Sequence, residues 1–229
     1  MQFSYRLLKK IRKILDRIPS SLYQTDFLRM QERTMFKRIE LALSIIIVFL
    51  LLFRFVFGTA LNALLLPALV LQAIHYMWFG FFLFSRVSLR DLATPKSRSQ
   101  VSVFMVISSI IMGILYSISI IAIVYGIFFY TGMNYILIVS VLFLFSATAI
   151  TIFYHWLNEA DRPLLSQYYK RSAILGIFCF MLWVTPVDLR LEVLFRKHPD
   201  FIEAYRYYRE NPQSEEAKNR MSEARSYFR

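Results

Sequence analysis

The sequence predicts an all-α integral membrane protein, in which a basic amphipathic interfacial helix precedes four or five transmembrane helices and a short helical soluble tail follows them. Of its 229 residues, 57% are hydrophobic, and they occur in long blocks rather than at the spacing of a soluble domain. Aromatic residues make up 17% of the chain, which suits a lipid-facing surface with rings at its interfaces. The net charge is +12, and the basic residues lie beside the apolar blocks. We therefore expect contact with the lipid bilayer and no nucleic-acid partner.

Residues 1–18 predict an amphipathic helix on the membrane surface, which Pro19 ends. Its leucines and isoleucines recur at spacings of three and four residues and therefore share one arc of the helix. The opposite arc carries the residues that we expect to bind anionic lipid: Arg6, Lys9, Lys10, Arg12, Lys13 and Arg17. Charges interrupt any apolar core of a secretory signal peptide. The rival interpretation is that the apolar arc docks on a protein partner.

Residues 20–40 predict a second basic helix that leads into the membrane, with Thr25 or Asp26 as its N-cap. Together the two helices form a basic amphipathic region that is cytoplasmic or interfacial. We assign residues 1–40 to this region.

The transmembrane bundle is assigned to residues 41–187. It contains five apolar blocks, at 41–57, 61–84, 101–130, 135–157 and 173–187. A block of about 20 apolar residues is needed to cross about 30 Å of hydrocarbon, and the first four blocks meet this need. The first two blocks are separated only by a short break at Gly58 and Thr59, so they are predicted to form a tight helical hairpin.

The fifth block, 173–187, is ambiguous. Its fifteen residues rise only about 22 Å as a helix, which leaves a re-entrant or interfacial segment as the alternative to a span. Lys170 and Arg171 before it and Trp183 near its end are typical of anchors at two interfaces, which favours a span. We therefore predict that the tail from Asp188 lies across the membrane from the N-terminus.

The soluble tail, 188–229, is nearly balanced in charge, with nine basic and eight acidic residues. Pro199 predicts the start of a helix that continues through Glu210. Ser214 predicts the N-cap of a last helix, whose first turn holds acidic residues that suit a helix N-terminus.

The distribution of Lys and Arg predicts a cytoplasmic N-terminus. The segments 1–40, 85–100 and 158–172 hold ten, four and three of these residues. The opposite side of the first four helices holds only Arg54, which we expect to snorkel to the far interface. A bacterial inner membrane is the default location. A mitochondrial inner membrane stays open, because the first helix is basic, amphipathic and nearly free of acids, like a transit peptide.

A stripe of small residues in the third apolar block predicts close helix packing. Ser109, Gly113 and Ser117 repeat every four residues and share one helix face, and Ala122 and Gly126 form a second pair. Small residues at this spacing let membrane helices approach each other closely. The alternative is chance spacing in a Ser-rich helix, and even a true contact can lie within one chain.

The best chemical candidates lie at the cytoplasmic end of the fourth block. His155, Glu159 and Arg162 share a helix face by their spacing, and Asp161 lies beside them. Such a cluster would suit a lipid phosphate, or a metal held by the histidine and the glutamate. The simpler interpretation is a helix end anchored by Trp156 and followed by a polar loop. We assign no metal site.

Two histidines on different helices raise the possibility of a b-type haem. His75 and His155 differ in depth by roughly 10 Å, however, so we expect no cofactor. A buried His75 bonded to a neighbouring serine or backbone carbonyl is the preferred alternative.

Cys179 is the single cysteine of the chain, which excludes an internal disulfide and a cysteine-based zinc site. We expect this cysteine to be buried or lipid-facing.

The leading functional hypothesis is a non-enzymatic accessory, scaffold or assembly subunit of a membrane complex, with other membrane proteins as partners. The first alternative is a small lipid-acting enzyme at the cytoplasmic interface, using the His155 cluster. The second is a transporter or channel subunit, for which the lack of Asp and Glu in the first four blocks is a poor sign. The chain contains no phosphate-binding glycine loop, nucleophile elbow or zinc-helix motif.

Overall fold

The computed structural model describes residues 20–84, 103–157 and 162–226, and all regular secondary structure in these ranges is helical. The five long helices are α1 Ser20–Phe57, α2 Asn62–Phe84, α3 Val103–Phe128, α4 Met133–Leu157 and α5 Arg162–Val184. Three shorter helices follow, namely α6 Val187–Phe195, α7 Pro199–Glu210 and α8 Glu215–Ser226. The predicted all-α architecture is confirmed over these ranges. The amphipathic helix predicted for residues 1–18 lies outside them.

Helix α1 begins earlier than its predicted cap. It runs for 38 residues from Ser20 without a break, so the N-cap expected at Thr25 or Asp26 is wrong. The physical reason is that this stretch contains neither glycine nor proline, so nothing interrupts the backbone hydrogen bonds between its polar and apolar halves. Residues 20–40 and the first apolar block therefore form one continuous helix.

Two tight turns join the long helices at one end of the bundle. A 3₁₀ turn, Gly58–Leu61, connects α1 to α2, and Gly58 has a φ of 74° that favours glycine. Residues 129–132 connect α3 to α4, and both Phe129 and Gly132 have positive φ. We call this the turn end. The opposite end, where α2 ends and α3 begins, is the loop end.

The long helices have the surface of a membrane bundle. Helix α3 contacts α2, α4 and α5 and so occupies the centre. The outward faces carry large apolar side chains that soluble proteins rarely expose in such number, including Phe49, Val56, Met77, Phe145 and Ile150. Within the described residues, three helical segments are long and apolar enough to cross a membrane, namely Gly58–Phe84, Val106–Phe128 and Met133–Tyr154. These observations support a multi-pass membrane protein.

Helix α5 is longer than the fifth apolar block. It has 23 residues, which rise about 34 Å, but only residues 173–184 of it belong to the apolar block. A broken span and a re-entrant segment therefore both stay open for this region. The helix stops before Pro186, whose ring removes a backbone donor, and the chain turns by 105° into α6. Counted as one span, this bent pair makes a fourth candidate in the described part of the chain.

Helices α6, α7 and α8 form a small folded unit, the cap, over residues 187–226. Its apolar core includes Leu191, Phe195 and Met221, which pack with Phe129 of the turn between α3 and α4. The cap also reaches the first turn, where Lys197 Nζ donates to the carbonyl of Val56 at 2.6 Å. It therefore lies at the turn end of the bundle.

Local sequence signals predicted two cap helices well. Helix α7 spans Pro199–Glu210, as expected from the proline at its start. Helix α8 begins at Glu215, and the backbone N–H of Ala217 donates to Ser214 Oγ at 3.4 Å. Both predictions are confirmed.

Candidate functional site

An ion pair at the loop end, whose side chains are only 18% and 11% exposed, joins three helices. Arg171 of α5 donates from Nε and Nη2 to the two carboxylate oxygens of Glu40 in α1, at 2.5 and 2.6 Å. Tyr76 of α2 donates its hydroxyl to the same carboxylate at 2.7 Å. The guanidinium also lies over the ring of Phe84, 5.0 Å from its centre. This bidentate geometry is the strongest form of the Arg–carboxylate pair.

Sequence reasoning missed this pair, although a signal was present. Glu40 is the last residue before the first apolar block, and Arg171 lies just before the fifth. The sequence pattern predicts an interfacial anchor at Arg171 and gives Glu40 no role. A carboxylate that precedes a span at the same end as an arginine is a candidate for pairing, because a buried carboxylate without a partner is very costly.

A second hydrogen-bond network continues from the ion pair along α5. Tyr116 of α3 donates to the backbone carbonyl of Tyr168 at 3.0 Å and bonds the Ser172 hydroxyl at 3.1 Å. The hydroxyls of Ser109 and Tyr168 are 3.1 Å apart. The rings of Tyr76 and Tyr116 meet edge to face at 5.5 Å, so the two networks are contiguous. Together they bond α1, α2, α3 and α5 at the loop end.

A third cluster lies deeper in the bundle. Ser140 of α4 donates to the Ser119 hydroxyl of α3 at 2.8 Å, and its own oxygen lies 3.7 Å from Cys179 Sγ of α5. The thiol in turn lies 3.6 Å from the backbone carbonyl of Ser119. Cys179 is fully buried, as one of the two predicted alternatives required.

The small-residue stripe of α3 faces α2 of the same chain. A Cβ built on Gly113 would lie 2.6 Å from the carbonyl oxygen of Tyr76 and 3.0 Å from Cα of Gly80. Ser109 and Ser117 are buried on this helix as well. Sequence reasoning did not identify Gly80 as the opposing small residue, because pairing it with Gly113 requires the register between the two helices.

The surroundings of His75 match the preferred alternative for this residue. It is buried, its ring hydrogen-bonds to the backbone of Phe36, and the ring of Phe79 lies 5.5 Å away. Its Nε2 and the Oε1 of Gln72 have no hydrogen-bond partner. Within the described residues, no three His, Cys, Asp or Glu side chains lie together as a metal site would require.

The candidate catalytic cluster lies outside the described residues. Glu159 and Asp161 fall in the range 158–161, and the side chains of His155 and Arg162 are likewise not described. The basic residues assigned to anionic lipid, Arg6 to Arg17, are also outside. Trp156, the proposed anchor, is 81% exposed on α4.

Arg54 does not snorkel outward, so this expectation is wrong. It is only 3% exposed, and its guanidinium lies 5.3 Å from the ring centre of Phe128 and 5.2 Å from that of Phe195. The physical reason is that α6 of the cap covers the end of α1. Its Nη2 lies 3.5 Å from the Ile127 carbonyl, and its Nε and Nη1 have no partner.

Comparison with known proteins gives no match, either to protein-family models, to curated proteins or to solved structures.

Proposed function

We propose that the chain is a five-span membrane protein that acts without catalysis, as an accessory, scaffold or assembly subunit of a membrane complex. The observation that carries the proposal is the cap, a folded unit with a charged surface held on the end of an apolar bundle. Such a unit presents a rigid surface to a neighbouring subunit while the bundle supplies the anchor.

The five-span topology is supported by the lengths and surfaces of the helices. The apolar part of α1 exposes large side chains such as Phe49 and Leu52, as a lipid-facing helix does. Helix α5 is long enough to return from the loop end to the turn end. With the basic segments 1–40 and 85–100 in the cytoplasm, the cap then lies on the other side of the membrane. A bacterial inner membrane remains the default location.

The cap surface supports a contact with another protein. An open groove between α7 and α8 is lined by four exposed carboxylates, those of Asp200, Glu203, Glu210 and Glu223. Two arginines, Arg206 and Arg220, line it as well, and they pair with acids outside the groove. By contrast, Asp188 and Glu192 on α6 pair with arginines of α7. A groove in which carboxylates outnumber arginines fits a partner of opposite charge, and such complementarity raises the association rate. We expect a partner that presents lysine or arginine to this groove.

The buried polar groups at the loop end support a structural role. The carboxylate of Glu40 accepts from both Arg171 and Tyr76, and Tyr116 bonds two groups of α5. Groups that bond each other across four helices stabilise one arrangement of those helices. We therefore assign these residues to stability.

Co-purification from native membranes tests the proposal. The chain is isolated in a mild detergent, and proteins that accompany it are identified by mass spectrometry. We expect a defined set of membrane proteins at constant ratio to the chain. The charge-reversed variant Glu203→Lys/Glu210→Lys should lose them, whereas Glu215→Lys/Glu216→Lys, on the first turn of α8, should retain them. A monodisperse monomer without partners would contradict the proposal.

A further inference from the structure

Two arginines at the turn end, the buried Arg190 and the partly buried Arg225, have incomplete hydrogen bonding. Arg190 of α6 is 3% exposed and donates from Nη2 to Asn134 Oδ1 at 2.7 Å, but its Nε and Nη1 have no partner. Arg225 of α8 donates from Nη2 to the carbonyl of Phe129 at 2.7 Å, and its buried Nε has no partner. A buried N–H group that lacks an acceptor destabilises the folded state, and more strongly when the group is charged.

Neither of these arginines forms a salt bridge with a carboxylate in the part of the chain that the structure describes. Other arginines of the cap do: Arg206 bonds Glu192 at 2.7 Å, and Arg209 bonds Asp188 at 3.0 Å. Those pairs are exposed, where an ion pair contributes little. Asp188 and Glu192 thus pair with exposed arginines, although a negative partner would matter more at Arg190 and Arg225.

Arg190 and Arg225 converge on the same structural feature, the turn between α3 and α4. The guanidinium of Arg190 lies 5.8 Å from the ring centre of Phe129, and that of Arg225 lies 5.4 Å from the ring centre of Tyr130. The ring of Tyr205 packs edge to face on Phe129 at 5.1 Å. Burial raises the pKa of Tyr205, while the charges of Arg190, Arg209 and Arg225 act in the opposite direction. Both arginines therefore contact adjacent residues of the same turn, Phe129 and Tyr130.

We propose that Arg190 and Arg225 bind a phosphate group between the cap and the turn that joins α3 to α4. Phosphate offers several acceptor oxygens and negative charge, which matches the free N–H groups and the excess of positive charge there. Arginine is the residue best suited to phosphate, because its planar guanidinium presents several donors in fixed directions. Under the five-span topology the turn lies at headgroup depth, so a phospholipid is one source of the group and inorganic phosphate is the other.

Thermal unfolding of the purified full-length chain in a sugar-based detergent tests this. One arm titrates inorganic phosphate against chloride at constant ionic strength. The other adds phosphatidylglycerol, with a galactolipid that lacks phosphate as its reference. We expect a rise in Tm with at least one phosphate probe, since a ligand that binds only the folded state raises its stability. A response to phosphatidylglycerol alone identifies a lipid headgroup, and a response to inorganic phosphate identifies the free anion.

Variants distinguish a site from a general salt effect, because phosphate also stabilises many proteins by exclusion from their surface. Arg225→Gln should lose most of the phosphate-induced rise in Tm. Arg225→Lys keeps the positive charge but lacks the planar guanidinium, so it should retain part of that rise. Arg220→Gln is the matched control, since Arg220 is an exposed arginine of the same helix that pairs with Glu216. An equal shift in all variants, or no shift with either probe, would overturn the proposal.

Chemical modification of the unaltered chain provides a measurement that needs no variant. Phenylglyoxal modifies arginines, and peptide mass spectrometry shows which ones react. We expect the active phosphate probe to slow the reaction at the partly exposed Arg225 at least fivefold relative to Arg220. Equal protection of both arginines would overturn the proposal, whether or not the variants fold.

Discussion

At the scale of single residues, the polar groups buried in the bundle differ in how completely they are bonded. Glu40 and Arg171 satisfy each other through two hydrogen bonds, whereas Arg54, Arg190 and Arg225 keep free N–H groups beside aromatic rings. The first arrangement stabilises contacts between helices. The second leaves positive charge concentrated at the turn end.

The Glu40–Arg171 pair should contribute strongly to stability. Glu40→Gln leaves the arginine buried without its counter-charge, and we expect a loss of about 2–4 kcal/mol in the free energy of unfolding. Glu192→Gln, which removes an exposed partner of Arg206, should cost less than about 1 kcal/mol. Unfolding in a denaturing detergent measures both variants. If the two losses are equal, the loop-end pair has no special role.

A double variant refines this test. Replacing both partners, as Glu40→Leu/Arg171→Leu, removes the uncompensated charge and should recover a substantial part of the loss. Losses that simply add would show that the two side chains act independently.

At the scale of helices, the closest approach is that of α2 and α3. Gly80 and Gly113 face each other there, and neither has room for a Cβ. Gly176 on α5 differs, because a Cβ on it would meet only a side-chain carbon of Leu144 at 3.8 Å. The same substitution is therefore expected to have opposite effects at two helical glycines.

Gly113→Ala should destabilise the bundle by about 1–3 kcal/mol, because the new methyl group would collide with backbone atoms of α2. Gly176→Ala should be neutral or stabilising by up to about 1 kcal/mol, since alanine favours helix over glycine. Thermal unfolding in detergent compares the two. A Gly113→Ala variant as stable as the parent would refute the close contact.

The substitution Gly113→Leu should disrupt the fold more than Ile114→Leu at the neighbouring, exposed position.

The junction between the cap and the first turn should respond to pH. His198 Nε2 lies 2.5 Å from Thr59 Oγ1, and burial lowers the pKa of His198 below its ordinary value of 6.5. The unfolded chain therefore binds a proton more readily than the folded one. This contribution to stability is present above pH 6.5 and decreases as the pH falls through the folded pKa. We expect His198→Gln to flatten the dependence of unfolding between pH 7.5 and 5.5, and an unchanged slope would contradict this.

The features that could be predicted from the sequence are those that depend on neighbouring residues. Pro199 and Ser214 act within one helical turn, so the starts of α7 and α8 followed directly from them. The ion pair links residues 131 positions apart, and its geometry depends on the arrangement of three helices. Arg54 illustrates the same limit, because its burial results from a cap that follows much later in the chain. The His155 cluster and the basic helix over residues 1–18 stay predictions.

At the scale of the whole molecule, the cap and the loop end lie at opposite ends of the bundle. The proposed topology places the cap outside the cytoplasm and the segment 85–100 within it. Gln213 is exposed in the cap, between α7 and α8, and Ser97 belongs to the cytoplasmic segment. The buried thiol of Cys179 should not interfere with labelling at either position.

Cysteine labelling on intact cells tests this arrangement. We expect Gln213→Cys to react with a membrane-impermeant reagent and Ser97→Cys to react only after the membrane is opened. Equal protection of both positions would support four spans, with the cap on the cytoplasmic side.

The contacts of the cap also have a consequence for biosynthesis. Its Lys197 and His198 bond Val56 and Thr59, which precede them by 141 and 139 positions. All residues of the bundle helices are synthesised before this part of the chain. During that interval the guanidinium of Arg54 lacks the Phe195 ring that later covers it, so the nascent protein carries a poorly shielded charge near the bilayer surface. Burial of the Arg54 guanidinium is therefore among the last steps in folding of the chain, after all bundle helices have been synthesised.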